Sequence, residues 1–477
     1  MSANMLKSLF ISVLLLPLVL PIANSGALAQ KEARSHPLGM LAYLKGGNLC
    51  IKELPDGQPQ QLTTDGRSPS FRWAPSGQWL AYVKDDGFWV VRPSGANAKA
   101  LSPSAPVNSF IWAPSSEWVA YVKDDRVWVV RPSGANAKAL SAGAKVHTFA
   151  WSPVSNTLAY MTHTGSVHVA KADEWRERGL VVGNESEERL GFFGLAWSPD
   201  EQWLIYVQEE MAKEKQPPDN RYVSLWRIRA DGSNPTELFN TASAPGGLMV
   251  AGWSPDSQYI LLQPWPLFSM SLLADGTSLL ALLTSGGRPK KLVESMLTNN
   301  DFLAWAPDGK LLAVTAGGGR ETWSHKRIAI VELTNGTLTY LTDEKTAAFS
   351  PAWSPDGHQI AYVAAPDIGF VGGGEEAKVA MAKRRIWVMN RDGSEKRPLT
   401  HDAAYRDERP LWSADSSHIL FARMDQQGRA SLWLMRDNGS EVRQVADLSP
   451  APDRFGYYGY ISWDGYFNWW RGTPRRP

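Results

Sequence analysis

The 477-residue sequence contains one cysteine, almost no net charge and only one long apolar run. Because Cys50 is single, the chain cannot form an internal disulfide, so its stability must come from packing. The 49 basic and 48 acidic residues give a formal net charge of +1, which provides no general electrostatic field for nucleic acid. The apolar run occupies residues 9–23, so no stable membrane span is predicted for the rest of the chain.

The sequence also lacks the common signatures of catalysis and metal binding. It has no Gly-x-Ser-x-Gly nucleophile turn, no His-Glu-x-x-His motif, no Gly-rich phosphate loop and no calcium loop of alternating acids. A zinc site built from cysteines is excluded because only one cysteine is present. The sequence therefore predicts no catalytic residues, no cofactor and no metal, and it favours a non-enzymatic protein.

The first 29 residues have the pattern of a secretory signal peptide. Lys7 precedes the apolar run 9–23, and Ala27-Leu-Ala29 matches a small-residue cleavage site before Gln30. The run is short for a helix that spans a bilayer. The sequence thus predicts an exported protein, periplasmic or secreted, in which residues 30–40 lead into the folded domain.

What the sequence has in excess is tryptophan, with 22 residues that largely follow a repeat. The tripeptide Trp-Ser/Ala-Pro, or a close variant, recurs every 39 to 59 residues, and such a period indicates a repeat architecture. It begins at Trp73, Trp112, Trp151, Trp197, Trp253, Trp305, Trp353 and Trp412. We predict that these tryptophans belong to the core, together with those at the third-strand position of their repeats, Trp89, Trp128, Trp226, Trp387 and Trp433.

Each repeat has the same order of strands and turns, which is clearest after Trp353. Ser-Pro-Asp-Gly is followed by Ile360-Ala-Tyr-Val363, then by Ile386-Trp-Val388, and then by Leu399-Thr400. Pro, Asp and Gly favour tight turns, and the consecutive apolar residues are typical of strands covered on both faces. Four short strands per repeat predict an all-β fold, a β-propeller of four-stranded blades.

The two ends of the repeat region are predicted to complete one blade. Residues 41–63 match a repeat without its first strand, and Tyr457–Trp463 resembles the missing first strand. Pairing of these N- and C-terminal strands would close the propeller and remove its exposed edges. We place the propeller at residues 41–467, followed by a basic and aromatic tail at 468–477.

The number of blades is eight or nine, and the repeat count gives nine. Residues 90–102 recur letter for letter at 129–141. Such identity between neighbouring repeats indicates a recent tandem duplication, so an ancestor with one blade fewer would have had eight.

The order Trp-Ser-Pro-Asp-Gly, Ile-Ala-Tyr, Ile-Trp-Val and Leu-Thr resembles the repeat of TolB-type β-propellers, which is similar to the propellers of the prolyl oligopeptidase family. The resemblance covers nearly all of the mature chain and implies the fold. For function it implies a range from periplasmic scaffolds to enzyme gates and polysaccharide lyases. The chain leaves no room for the separate α/β domain of TolB, and its repeats exceed the usual six blades, so we do not expect it to be TolB itself.

Four consecutive repeats are lengthened between their second and third strands. The insertions lie at residues 208–222, 264–277, 316–326 and 364–384. In a propeller these loops emerge on one face, and loops carry function more often than the scaffold does. This face is the predicted binding surface.

Seven residues near these insertions are candidate ligand-binding residues. Arginine and tryptophan are favoured anchors of interfaces, with charged residues at the rim. Asp407 and Glu408 can equally serve to orient the strand before Trp412, and the two histidines can be ordinary loop residues. The candidates are Arg320, Trp323, His325, His401, Arg406, Asp407 and Glu408.

The sequence therefore predicts an exported, non-catalytic β-propeller that binds a protein or peptide through the insertion-bearing face. One alternative is a carbohydrate-active, lyase-like enzyme with a metal or a His/Arg site in the axial funnel. Another is a structural subunit of an envelope complex. No nucleic-acid partner is expected.

Overall fold

A computed structural model of the chain describes residues 38–472, except for 68, 85–86, 103–106, 108, 142–143, 182–193, 212–220, 243–245, 266–274 and 370–371. The predicted signal peptide at residues 1–29 lies outside the described residues, as do most of the lead-in and the last five residues of the tail. Among the described residues, no helix has both the length and the apolar character needed to cross a lipid bilayer.

The structure is almost entirely β-sheet. The first strands are β1 (Met40–Lys45), β2 (Asn48–Glu53), β3 (Gln60–Gln61), β4 (Ser70–Trp73), β5 (Leu80–Lys84), β6 (Gly87–Val91), β7 (Lys99–Ser102), β8 (Ser109–Trp112), β9 (Val119–Lys123), β10 (Arg126–Val130), β11 (Lys138–Ala139), β12 (Val146–Trp151), β13 (Thr157–Thr162), β14 (Val167–Lys171), β15 (Glu177–Val181), β16 (Leu195–Trp197), β17 (Trp203–Met211) and β18 (Arg221–Arg229).

The second half of the chain continues the series. Its strands are β19 (Thr236–Asn240), β20 (Gly247–Trp253), β21 (Tyr259–Trp265), β22 (Thr277–Leu283), β23 (Lys290–Met296), β24 (Leu303–Trp305), β25 (Leu311–Ala316), β26 (Arg327–Glu332), β27 (Thr337–Tyr340), β28 (Thr346–Trp353), β29 (Gln359–Pro366), β30 (Arg385–Asn390), β31 (Arg397–Pro398), β32 (Tyr405–Trp412), β33 (His418–Asp425), β34 (Ala430–Arg436), β35 (Arg443–Leu448) and β36 (Phe467–Trp470). Among the described residues, the α-helix α1 (Glu375–Ala382) and two 3-10 turns, Asn300–Phe302 and Trp463–Gly465, interrupt them.

The chain divides into two compact units. The first takes the described residues within Ala74–Ser269 and Leu280–Lys290, and the second those within Gly26–Trp73, Met270–Leu279 and Lys291–Pro477. In the first unit, β8 to β11, β12 to β15 and β16 to β19 form three antiparallel sheets of four strands each. Buried side chains of successive sheets share one core, as Val127 and Phe149 do.

The second unit also contains three four-stranded sheets. Two follow chain order, β28 to β31 and β32 to β35, and the third has the order β3-β2-β1-β36. Strands β24 to β27 form a further antiparallel set, which β23 joins through Met296 and Ala316. Repeated antiparallel sheets of four short strands are the architecture of a β-propeller, so the predicted fold type is supported.

The recurring tryptophans are core residues, as predicted. All eight are between 1% and 8% exposed. Several also tie their sheet to the preceding one: the indole N–H of Trp151 donates to the carbonyl oxygen of Ile111 (3.2 Å), and that of Trp412 to Ala352 (3.0 Å). A hydrogen bond and a large apolar ring at one position explain why the residue recurs with the repeat.

The tryptophans of the third strands are half-buried, which differs from the core position predicted for them. Trp433 lies directly across the antiparallel pair from Phe421, and the other four each lie across from a tyrosine, as Trp89 does from Tyr82 and Trp387 from Tyr362. Their ring centroids are 6.5 Å and 6.4 Å apart. Such cross-strand aromatic pairs stabilise a sheet without being enclosed by it.

The strand that completes the N-terminal sheet is not the predicted one. Tyr457–Trp463 was expected to pair with residues 41–44, but β36 does so, with Leu41 opposite Trp469. Glycines with φ values of +63° and +85° at 456 and 459 turn the earlier segment out of an extended path. In β36, Phe467 and Trp469 alternate into the core, so the sheet takes in residues 468–470, which were assigned to the tail.

Candidate functional site

Two of the predicted insertions meet a C-terminal segment in the second unit. The backbone N–H of His325 donates to the Asp367 carboxylate (2.6 Å), and that of Thr322 donates to the carbonyl oxygen of Tyr458 (3.0 Å). We call residues 317–326, 372–384 and 453–461 the insertion cluster. The other two insertions, 208–222 and 264–277, contain residues outside the described part of the chain.

Trp323 lies inside the insertion cluster and not on its surface. It is 2% exposed and packs on Phe455, with ring centroids 5.5 Å apart. Ala377, Ala380 and Met381 of α1 complete this small apolar core. The expectation that Trp323 is an exposed anchor is therefore corrected: its side chain joins the three segments, because an apolar ring gains more from this enclosure than from water.

Arg320 is held at the surface of the insertion cluster by an ion pair. Its Nε and Nη2 atoms face the two carboxylate oxygens of Asp275, with Nη2 2.8 Å from Oδ2. The hydrogen bonds to Asp275 raise the pKa of the guanidinium above its ordinary value. Arg320 also lies 5.4 Å from the ring of Tyr458, which is 38% exposed and contacts the 39% exposed Tyr457 edge-on.

The two candidate histidines are exposed. His325 has a φ of +52° and its backbone is bound by Asp367, whereas His401 lies just before β32. Within the described ranges, no group of three or more His, Cys, Asp and Glu side chains is placed to hold a metal ion.

Arg406, Asp407 and Glu408 lie together on β32 and are buried, with 7%, 0% and 3% exposure. Asp407 accepts hydrogen bonds from Nε and Nη2 of Arg423, at 2.6 Å and 3.0 Å. The Arg423 guanidinium lies 4.5 Å from the ring of Trp433. For Asp407 this enclosure favours the alternative in which the carboxylate orients strands of the scaffold.

Glu408 is the centre of a buried ion-pair group. It accepts hydrogen bonds from Arg384 Nη1 (2.5 Å) and Trp463 Nε1 (2.9 Å), and Arg406 Nε lies 3.3 Å away. Burial alone would raise the pKa of Glu408, but the charges of Arg406 and Arg384 outweigh it and hold the pKa below its usual value.

Arg384 connects this group to the insertion cluster. Its Nη1 donates to the carbonyl oxygen of Gly459 (2.6 Å) and its Nη2 to the hydroxyl of Thr322 (2.7 Å). Burial lowers the pKa of the Arg384 guanidinium to about 10, so the side chain stays charged at neutral pH. A single buried arginine thus fixes two segments above the strands.

A second ion-pair group lies beside the first. Arg409 donates to Asp301 and, at 2.8 Å, to Asp464. The hydroxyl of Tyr460 donates to the other oxygen of Asp301 at 2.9 Å. These contacts give the C-terminal segment a second attachment to the strands, through Tyr460 and Asp464.

Sequence reasoning missed Arg384, Arg409, Asp301 and Tyr460. For Arg409 the sequence did contain a signal, in the strand that ends at the recurring tryptophan. Strand β28 has Ala-Ala-Phe-Ser-Pro at 347–351, whereas β32 has Arg-Asp-Glu-Arg-Pro at 406–410. Both strands shift register at this point, so four charges stand where the preceding repeat has small or apolar residues.

Lys326 is a buried cation at the base of the insertion cluster. It has no exposed surface, and its Nζ donates to the carbonyl oxygen of Gly318 (2.7 Å). Burial lowers its pKa to about 8, although Glu321 and Asp367 oppose the shift.

This position should give the protein a measurable pH dependence. Between pH 8 and 10.5 the folded chain holds a neutral Lys326 while the unfolded chain holds a charged one, so stability rises with pH. We expect the free energy of unfolding of the wild type, relative to Lys326→Met, to increase by about 2–3 kcal/mol across this range. Urea titrations of both proteins at pH 7.5 and 10 measure the difference, and an unchanged difference would contradict the assignment.

A polar groove lies elsewhere in the second unit. Leu311, His358, Asn390, Arg391 and Asp392 line an open space of about 450 Å³. The groove and the insertion cluster lie at opposite ends of β29. His358 of the groove directly precedes the first residue of β29, Gln359, whereas the insertion 364–384 follows the end of the strand. The groove is the alternative to the insertion cluster as a binding site for a partner.

No family model matches the chain. Among curated proteins it is 26% identical over 220 residues to an uncharacterized protein, Atu1656, of Agrobacterium fabrum, covering 44% of this chain and 64% of the relative. The chain thus spans less than two thirds of that relative's length.

Two solved structures share the fold. Dipeptidyl peptidase 4 of Porphyromonas gingivalis is 13% identical, with a TM-score of 0.55, and the match covers 80% of this chain and 59% of the peptidase. A eukaryotic initiation factor is also 13% identical, with a TM-score of 0.57 and coverage of 87% and 98%. At this identity the likeness concerns the fold alone.

Proposed function

We propose that the protein is an exported, non-catalytic β-propeller that binds a protein or peptide partner through the insertion cluster. The observation that carries the proposal is that Arg320 lies over the ring of the exposed Tyr458, which also contacts the exposed Tyr457. Tyrosine and arginine are the residue types that most often dominate binding energy at interfaces. Here they stand together on segments that α1 and Trp323 hold in place.

Rigidity of this surface supports a binding role. Arg320 is oriented by Asp275, and the backbone of Tyr458 is held by Thr322. Beneath it, Arg384 bonds to the neighbouring Gly459. A surface that is ordered before the partner arrives loses less conformational entropy on binding.

Two further parts of the proposal rest on the sequence. Export rests on the signal-peptide pattern of residues 1–29. A TolB-like propeller rests on the repeat motif and its eight or nine blades on the repeat count, which gives nine, and the pairing of β1 with β36 in the second unit supports closure by the chain ends.

The proposal is tested by affinity capture of a partner from a native extracytoplasmic extract, followed by a double replacement, Arg320→Ala with Tyr458→Ala. We expect the double variant to weaken binding by 100-fold or more, about 3 kcal/mol, because both anchors are removed. Calorimetry with the purified partner measures the change.

A matched control is available in the same unit. Arg327 lies 3.7 Å from the ring of Tyr340, an exposed tyrosine outside the insertion cluster. Arg327→Ala with Tyr340→Ala should leave the affinity unchanged. Equal losses in both double variants would reject the insertion cluster as the site, and stoichiometric metal in the purified protein would favour the carbohydrate-active alternative.

A further inference from the structure

Arg406 differs from two other arginines of the second unit, Arg423 and Arg320, in the hydrogen bonds made by its Nε and Nη2 atoms. Arg423 directs Nε and Nη2 at both oxygens of Asp407, and Arg320 directs them at Asp275. In Arg406 the same two atoms are buried and have no hydrogen-bond partner among the residues that the structure describes. The Nε and Nη2 atoms of an arginine lie side by side and can bind a carboxylate with two parallel hydrogen bonds. We call these two atoms of Arg406 the fork.

Arg406 shares its nearest counter-charge with a second arginine. Arg384 and Arg406 share one carboxylate, that of Glu408. The oxygens of Glu408 accept hydrogen bonds from Arg384 and Trp463, and its 3.3 Å approach to Arg406 Nε lacks hydrogen-bond geometry. Within this group two buried guanidinium groups share one carboxylate, so a further carboxylate at Nε and Nη2 would give Arg406 an ion pair of its own.

The fork lies close beneath the protein surface. Arg406 is 7% exposed, and its remaining nitrogen, Nη1, donates to the carbonyl oxygen of Arg454 at 2.7 Å. Arg454 is exposed and belongs to the insertion cluster, four residues before Tyr458. A small displacement of this segment would bring a ligand group to Nε and Nη2.

We propose that the Arg406 fork is a carboxylate-binding site and that the group it takes belongs to the partner, either its C-terminal carboxylate or an Asp or Glu side chain. This deepens the proposed function and rests on it. The exposed tyrosines would contact the partner, and the fork would select its acidic group. Glu408 is an adverse charge beside the fork, and its ion pair with Arg384 offsets it.

The test compares acids with their amides on the full chain. Calorimetry is performed with acetyl-trialanine carrying a free or an amidated C-terminus, and with acetyl-glutamate amide against acetyl-glutamine amide. We expect at least one acid to bind about tenfold or more tightly than its amide. The first pair reports a C-terminal carboxylate and the second a side-chain one. Equal binding of acid and amide in both pairs would overturn the proposal.

Variants locate the site. Arg406→Gln should remove the preference for the acid, whereas Arg436→Gln should retain it, since Arg436 is an exposed arginine already paired with Glu441. If Arg406→Gln does not fold, a crystal structure of the wild type grown with the preferred acid shows what binds at Nε and Nη2 of Arg406. A carboxylate on Nε and Nη2 supports the proposal, and an ordered water or an adventitious ion only on these atoms overturns it. Because the probes require no partner, this result is independent of the partner-binding test.

Discussion

Replacing Glu408 by Gln is expected to lower the free energy of unfolding by about 3–5 kcal/mol, the typical result of removing one member of a buried ion pair. The variant keeps the shape of the side chain but leaves the charges of Arg384 and Arg406 uncompensated. Urea unfolding at pH 7 measures the loss. Glu441→Gln, which removes an exposed pair with Arg436, is the matched control and should change stability by less than about 1 kcal/mol.

The same pair has a pH signature. The folded-state pKa of Glu408 is lowered, so its contribution is present above the usual pKa of glutamate and is lost as the pH falls through the folded value. The wild type should therefore lose its advantage over Glu408→Gln in acid. A constant difference between pH 7 and pH 3 would contradict the assigned charges.

Removal of β36 is expected to have a still larger effect. Ending the chain at Tyr466 deletes Phe467 and Trp469, both buried, and uncovers the edge of β1. Loss of one such aromatic from a core costs about 3–5 kcal/mol, and domains have only about 5–15 kcal/mol in total. We expect the truncated chain to melt at least 10 °C lower, or not to fold cooperatively, when followed by circular dichroism.

A point variant shows whether the stability lost on truncation comes from the packing of β36 or only from shortening the chain. Trp469→Ala should reduce stability by about 3–5 kcal/mol, because its ring is buried and its N–H bonds to the carbonyl oxygen of Leu38 at 2.7 Å. Tyr457→Ala removes an exposed aromatic from the same C-terminal stretch and should melt like the wild type. An unchanged melting curve for both the truncated chain and Trp469→Ala would show that the strand pair does not stabilise the unit.

The repeat was predictable because periodicity and turn chemistry are local. Trp353, Ser354 and Asp356 alone specify a strand end and a turn, since the Ser354 hydroxyl binds Asp356 at 2.6 Å and the same contact recurs in other repeats. The closing strand was misplaced because Tyr457–Trp463 carries a tryptophan in the expected order. Only the left-handed backbone at 456, 458 and 459 shows that it turns.

The candidate site was predictable in position but not in detail. Insertion length located the segments that meet at His325 and Asp367, because loops between the second and third strands leave the sheets at one end. The role of Trp323 depends on its contact with Phe455, and that of Arg406 on its contact with Arg454, residues about 130 and 50 positions away. No pattern in a single sequence reports such pairings.

Binding of a partner to the insertion cluster is tested by hydrogen exchange of the free and the partner-bound protein. We expect slower exchange on binding for amides in residues 317–326 and 453–461, with little change at Asn390–Asp392. Protection confined to the groove at Asn390–Asp392, with exchange in the insertion cluster unaltered, would contradict it.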